Sequence, residues 1–285
     1  MLIPVSLLSS YLYCPRKVFL QRVLGLREPP RPELFIGRLR HTILERFGEY
    51  ERSVIIPLSR GARLEDIEQA IMEVYERIIR DTIEAQSDGM YEFALDREEV
   101  YEANKHTCQA DARLRAEIIA GYIAAHDVEH ETLYEQLTPR IISEQRYSDE
   151  EVGITGVVDR ILIYDDEAVP FEFKTGRAPR EGLWPGHRIQ LNAYLLLVSS
   201  EYRVKRGIVR YLDSEHDAEL LMTPFVRREI VRLVAEIRGV LEGSTLPRRI
   251  DQVSKCTRCG LRDACYSERT VTDALVARFG TDAIR

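Results

Sequence analysis

The chain has 285 residues, 45% apolar and 31% charged, with 16 Gly and 12 Pro, a composition that excludes collagen-like, low-complexity and largely disordered classes. No apolar run reaches the ~18–20 residues of a membrane helix, and the apolar start has no basic leader region, so a globular, cytoplasmic protein without a membrane partner is expected. A formal charge of −7 argues against nucleic acid as a partner, but its distribution reverses the argument. Residues 42–151 hold 26 Asp and Glu against 12 Lys and Arg, which leaves 21 acids and 28 bases for the rest of the chain. A basic body carries an acidic middle.

In chain order, residues 3–27 read as one helix with Cys14 and several bases towards its end, closed by Pro29-Pro30-Arg31-Pro32, which no helix interior tolerates. A second helix starts near Glu33. Leu64, Ile67, Ile71, Val74, Tyr75, Ile78, Ile79 and Ile83 follow the 3.6-residue period, and a further helical region covers about 98–136. The period then becomes 2, with Val157, Asp159, Ile161 and Ile163 on one strand face. Asp165-Asp166-Glu167 turns that strand into another near 169–175, where Pro170 predicts an edge strand or a strand start. A helix at 187–199, a strand at 207–213, a helix at 227–241 and a basic, Cys-containing loop at 247–269 complete an α/β class with a small mixed sheet flanked by helices.

Glu172 and Lys174 are two apart on the second strand of the hairpin and leave by one face, with Phe171 and Phe173 on the other. Asp159, on the partner strand, lies within reach of Glu172. Two carboxylates held together repel unless a cation lies between them, and a hard divalent ion suits oxygen ligands. Lys174 beside them supplies a proton or a positive charge to a phosphate. Cys256, Cys259 and Cys265 fall within ten residues, a spacing that binds metal in a reducing compartment more often than it forms disulfides. Cys14, followed by Pro, is the candidate fourth ligand, and spacing alone leaves structural zinc and a [4Fe–4S] cluster equally open. Cys108 reads as an ordinary buried thiol. Gly37-x3-His41 is weak by itself, and Gln190-x3-Tyr194 puts an amide and a phenol on one helix face. His126-Asp127-Val128-Glu129-His130 matches the H-x-x-E-H pattern of inverted zinc peptidases without a third ligand. Lys174-Thr175-Gly176 matches K-T-G of penicillin-recognising enzymes without their Ser-x-x-Lys.

Taken together, Leu12-Tyr13-Cys14-Pro15-Arg16, Gly37-x3-His41, Gly156-Val157-Val158-Asp159-Arg160, Glu172-Phe173-Lys174, Gln190-x3-Tyr194 and the three C-terminal Cys resemble, in order, the RecB-like branch of the PD-(D/E)xK nucleases. Within that branch the sequence is most similar to the stand-alone CRISPR-associated exonucleases that carry an iron–sulfur cluster. The resemblance implies a restriction-endonuclease-like core with a helical insertion. Residues 1–48 would carry Cys14 and His41, 49–151 the acidic insertion, 152–246 the catalytic core and 247–285 the cluster-binding segment. It implies an Mg²⁺- or Mn²⁺-dependent deoxyribonuclease in which His41, Asp159, Glu172 and the Phe173 carbonyl hold the ion. Lys174 would orient or activate water, Gln190 and Tyr194 would hold DNA, and Cys14, Cys256, Cys259 and Cys265 would ligate [4Fe–4S]. The implied role is trimming of single-stranded DNA or DNA ends in CRISPR spacer acquisition, beside the integrase complex; a non-catalytic DNA-binding iron–sulfur subunit is the alternative. No G-x4-G-K-[ST] occurs, so no ATP-driven motor is expected. Phosphate contacts are expected from the basic remainder, at Arg16, Lys17, Arg22, Arg38, Arg40, Arg177, Arg180, Arg188, Arg248, Arg249, Lys255 and Arg258, and not from the acidic middle.

Overall fold

A computed structural model describes residues 1–281. Its first elements are a short strand β1 (Ile3–Pro4) and helices α1 (Val5–Tyr13) and α2 (Pro15–Arg22). The single helix expected over 3–27 is therefore broken, and the cause is local. Pro15 disfavours helical backbone at the residue before it, and Cys14 sits extended at φ −166° and ψ 112°, its sulfur accepting from the Lys17 backbone N–H. Next come α3 (Pro32–Ile55), α4 (Leu64–Ala85), α5 (Ser87–Glu92), α6 (Arg97–His126) and α7 (His130–Gln136). The helix expected over 98–136 is two, because Asp127 takes the left-handed conformation at φ 52° and closes α6. Strands β2 (Arg140–Asp149), β3 (Ile154–Ile163) and β4 (Ala168–Lys174) follow, then α8 (Pro185–Val198), β5 (Arg206–Tyr211), β6 (His216–Leu221), α9 (Val226–Glu242), α10 (Val253–Thr257), α11 (Arg262–Tyr266) and α12 (Glu268–Phe279). No helix among the described residues is long and apolar enough to cross a membrane.

The predicted hairpin is present as β3 and β4, antiparallel in the register Arg160↔Phe171 to Ile163↔Ala168. β4 is not an edge strand, however, because β5 pairs with it in parallel from Phe171↔Ile208 onward. Pro170 is tolerated because Ala168 N–H points away from β3, to Arg203 O. Alternation turns position 170 to that same side, one residue before the parallel ladder starts, so no ladder bond is lost.

β2 pairs with the whole length of β3 along one edge. The other edge of β3 is shared, by β1 at Ile154 and Thr155 and by β4 from Arg160 onward. Gly156–Asp159 thus have no strand beside them there, and the sheet carries a gap. Strict alternation also fails at this point. Val158 and Ile161 pack into the same apolar cluster with α1, α8 and α9, and opposite Asp159 the β2 residue Glu144 has φ 55°. The predicted single face of Val157, Asp159, Ile161 and Ile163 is therefore interrupted at the candidate carboxylate.

The opposite side of the sheet, with Phe171, Phe173 and Leu212, shares one core with α3, α4, α6 and α7. The acidic middle contributes structure as well as charge to that core. Asp111 of α6 accepts from Arg160 at 2.7 and 3.2 Å and from Tyr75 Oη at 2.5 Å, and Arg210 approaches it at 3.8 Å. Asp111 and Arg160 are only 4% and 5% exposed, so each charge depends on the other. Removing one partner of such a pair strands the other in a medium that cannot solvate it. We expect Asp111→Ala to cost about 3–5 kcal/mol, read as a lowered denaturant midpoint. A change under about 1 kcal/mol would mean that Arg160 finds other solvation.

Candidate active site

The gap in the β3 edge is where the predicted site residues meet. Past the last β3–β4 pair the Asp159 carboxylate occupies the space that a ladder bond would fill, accepting from the Phe173 backbone N–H at 3.0 Å. In an extended strand the N–H and C=O of one residue point the same way, so the Phe173 carbonyl faces this gap too. His41 arrives from α3, its Nδ1 3.4 Å from Asp159 and 3.7 Å from Glu45. Glu172 is 2% exposed. Its Oε1 accepts from Lys174 Nζ at 2.5 Å and from Gln190 Nε2 at 2.6 Å, while Oε2 is buried with no partner among the described residues. His41 thus meets Asp159 and Lys174 meets Glu172, and the two carboxyl groups lie near enough for Asp159 to disfavour ionisation of Glu172.

Gln190 and Tyr194 take a different position from the one expected for DNA contacts. They are 9% and 4% exposed, and Gln190 bonds both Glu172 and the Tyr194 hydroxyl, the latter at 3.2 Å. Their i,i+4 spacing on α8 serves to hold the carboxylate from behind. Two acids were missed. Glu45 lies one helical turn after His41, and His41, Glu45 and Asp159 offer ligand atoms within 4.8 Å of one another; that i,i+4 spacing was readable. Glu144 was not, since its approach depends on the register of a strand that the sequence reading did not identify.

The charges here are out of balance. Burial, then Asp159, pushes the Glu172 carboxyl up to about 8. Burial, with Glu45 and Asp159 nearby, pushes Glu144 up to about 7. For His41 burial opposes the cation, but hydrogen bonds to Asp159 and Glu45 outweigh it and lift the imidazole to about 10. Burial also works against the Asp159 carboxylate, which His41 nevertheless holds below its usual range. A carboxylate oxygen buried with no donor, among acids that resist ionising together, is the environment a divalent cation neutralises. The donor set of one imidazole, several carboxylates and a backbone carbonyl fits Mg²⁺ or Mn²⁺, the imidazole favouring Mn²⁺. Ligation needs deprotonated groups. Since Glu172 and His41 hold protons at pH 7 without the ion, affinity for Mn²⁺ should rise as pH climbs through 8 towards 10, with protons released. Calorimetric titration of metal in two buffers of different ionisation heat measures this, and a pH-independent affinity with no proton release would contradict it.

Cys14, Cys256, Cys259 and Cys265 line a single cavity with Tyr13, Arg16 and Leu261. Arg16 Nε donates to Cys265 Sγ at 3.2 Å, and Lys17 N–H to Cys14 Sγ at 3.4 Å. The chain ends, more than 240 positions apart, meet here. Among the described residues no three of these sulfurs come within 4.8 Å of one another. Cys108 is 1% exposed, in the core beside Asp111, and burial raises its thiol well above the usual range.

Several predicted phosphate contacts are already engaged. Arg16 also donates to Pro247 O, Lys17 pairs with Glu28, Arg40 with Asp213 and Arg188 with Glu229, and Lys255 donates to Leu12 O and Tyr13 O. These cations hold the chain to itself. The peptidase pattern is dismantled as well, since α6 ends at His126, which stacks on Tyr122, and His130 Nδ1 contacts Ile56 O.

Residues 3–266 match the model of the PD-(D/E)XK nuclease superfamily. The chain is 27% identical over 168 residues to a "CRISPR-associated exonuclease Cas4/endonuclease Cas1 fusion" of Leptospira interrogans, covering 54% of this chain and 31% of that protein. It is 26% identical over 124 residues to a "CRISPR-associated exonuclease Cas4" of Rhodospirillum rubrum, covering 42% and 37%. A protein of the same name from Francisella tularensis subsp. novicida is 26% identical over 125 residues, covering 44% and 59%. The match thus spans about a third of the length of the first two relatives. A family match over nearly the whole chain, with an Asp, a Glu-x-Lys strand and a buried, unsatisfied carboxylate at the sheet gap, makes this protein a member of the PD-(D/E)XK nuclease superfamily.

Proposed function

We propose that the chain is an Mg²⁺- or Mn²⁺-dependent deoxyribonuclease that removes nucleotides from single-stranded DNA or DNA ends. The observation that carries this reading is Glu172, buried with one oxygen held by Lys174 and Gln190 and the other unsatisfied, next to Asp159. Asp159, Glu172, His41 and the Phe173 carbonyl would hold the ion, which when bound supplies Lewis-acid stabilisation of charge on the scissile phosphate. The protein's own contribution is positional. Gln190, backed by Tyr194, fixes the Glu172 carboxylate, and Glu172 in turn fixes the Lys174 ammonium. Phe173 N–H and His41 orient Asp159. Lys174, half-buried at the strand end, orients the attacking water and opposes negative charge on the phosphate.

The four Cys around one cavity support a [4Fe–4S] cluster that ties the chain ends together. The relatives' names, one of them a fusion with an endonuclease Cas1, support a CRISPR context, and within it the role proposed is trimming of prespacer DNA in spacer acquisition, beside the integrase complex, in the cytoplasm. Protein purified without oxygen and incubated with end-labelled single-stranded DNA and Mn²⁺ should shorten the label progressively, and EDTA should stop it. Binding that persists without any shortening would instead support the non-catalytic DNA-binding iron–sulfur subunit.

A further inference from the structure

The loop that leaves Lys174 leads to the only Trp of the chain, and that residue is 48% exposed. A half-exposed Trp on a polar loop is unusual for a side chain of this apolar area, and here it is held in place. Its Nε1–H donates to Arg177 O at 3.0 Å, and its backbone N–H to the Tyr211 hydroxyl at 3.4 Å. Gly176 N–H donates to Asp213 Oδ2 at 2.7 Å, and Asp213 is itself held by Arg40. With the indole N–H committed inside the loop, what the ring leaves to solvent is π surface, already ordered. Tyr211, which orients Trp184, is the register partner of Lys174 across β4 and β5.

Charge points to the same occupant. Arg177 and Arg180 are exposed and, among the described residues, neither makes an ion pair, whereas nearby Arg40 and Arg188 are both neutralised by acids. Two free guanidinium groups and one fixed aromatic face on a ten-residue loop suit a single strand of nucleic acid. Its phosphates seek cations, and its unpaired bases stack on aromatic rings irrespective of sequence. A base paired within a duplex has no free face to offer.

We propose that Trp184, flanked by Arg177 and Arg180, is a base-stacking platform that seats a nucleotide of single-stranded DNA next to the site of Asp159, Glu172 and Lys174. The assignment rests on the deoxyribonuclease reading and adds to it a preference for single-stranded or frayed ends. Because Trp184 is the sole Trp, its fluorescence reports the contact directly. The full-length, cluster-loaded protein is titrated in EDTA with an oligothymidylate of about 12 nucleotides, within the usual range of single-strand site sizes, and with an abasic phosphodiester of equal length. Saturable quenching by oligothymidylate, and none by the abasic strand, is expected. By anisotropy, Trp184→Ala should weaken oligothymidylate binding roughly ten-fold, Trp184→Phe should stay within about three-fold of the parent because stacking survives, and abasic binding should be alike in all three. Replacing Arg177 and Arg180 by Gln should lower the salt slope by about 1.4 units, at about 0.7 per single-strand phosphate contact. Unquenched fluorescence at saturating oligothymidylate, or equal affinity of the Ala variant and the parent, would overturn the platform while Mn²⁺-dependent cleavage left the nuclease reading intact. Parent protein that neither binds nor cuts the strand would overturn both.

Discussion

Asp159→Asn and Lys174→Ala are each expected to slow Mn²⁺-dependent DNA cleavage by at least two to three orders of magnitude, on the order of what one preorganised charge-stabilising group contributes. The two should fail for different reasons. Asn keeps an oxygen able to accept from Phe173 N–H, now at 3.0 Å, so the strand gap stays closed, but the position loses its negative charge and with it much of the affinity for a divalent ion. Lys174→Ala leaves the carboxylates and Gln190 in place, so metal should still bind. Turnover falls because water and phosphate lose their positive partner. Calorimetry with Mn²⁺ beside single-turnover cleavage separates the two losses. If both variants cut as fast as the parent, the reacting centre is elsewhere.

The other large effect concerns the cluster of cysteines. Anaerobically purified protein is expected to be brown, with broad absorption near ~400 nm from thiolate-to-iron charge transfer, and to contain iron and sulfide. Cys256→Ser and Cys14→Ser should each bleach it. They should also destabilise the whole chain, because the centre closes a loop from Cys14 to the C-terminal segment. A closure of that length constrains the unfolded state by about 5 kcal/mol on the scaling used for covalent crosslinks. The apolar support around it is small, with Leu20, Leu261 and Val271 as its buried members, beside the hydrogen bonds of Tyr13, Arg16 and Lys255 that join the two ends. Cys108→Ser should leave the colour unchanged. About one zinc per chain with no iron or sulfide would refute the cluster, and a variant that bleaches without losing thermal stability would refute its structural role.

What could be read from sequence and what could not divide along physical lines. Glu172 and Lys174 were readable because a strand repeats every two residues, and the partner Asp159 because a short turn limits where the neighbouring strand can lie. The C-terminal Cys set was readable because ligand spacing within a loop is local. Cys14 was placed only by chemistry, since no pattern joins positions 242 apart. The break after Tyr13 was written in Cys14-Pro15 and overlooked. In contrast, the central position of β4, the missing ladder beside Gly156–Asp159 and the edge strand that carries Glu144 all follow from which strands pair. Pairing is decided by packing across the sheet, not by any one strand's periodicity. Burial reassigned Gln190 and Tyr194, whose helical spacing is equally compatible with an outward or an inward face. It also reassigned Arg16, Arg40, Arg188 and Lys255, whose positive charges looked free until their partners, far off in sequence, came within bonding distance. Sequence determined which chemical groups this protein owns and their local order. Tertiary structure decided which of them lose water, because desolvation depends on neighbours brought together from the whole chain, and it is desolvation that separates Glu172 and Asp159 from the many acids that remain on the surface.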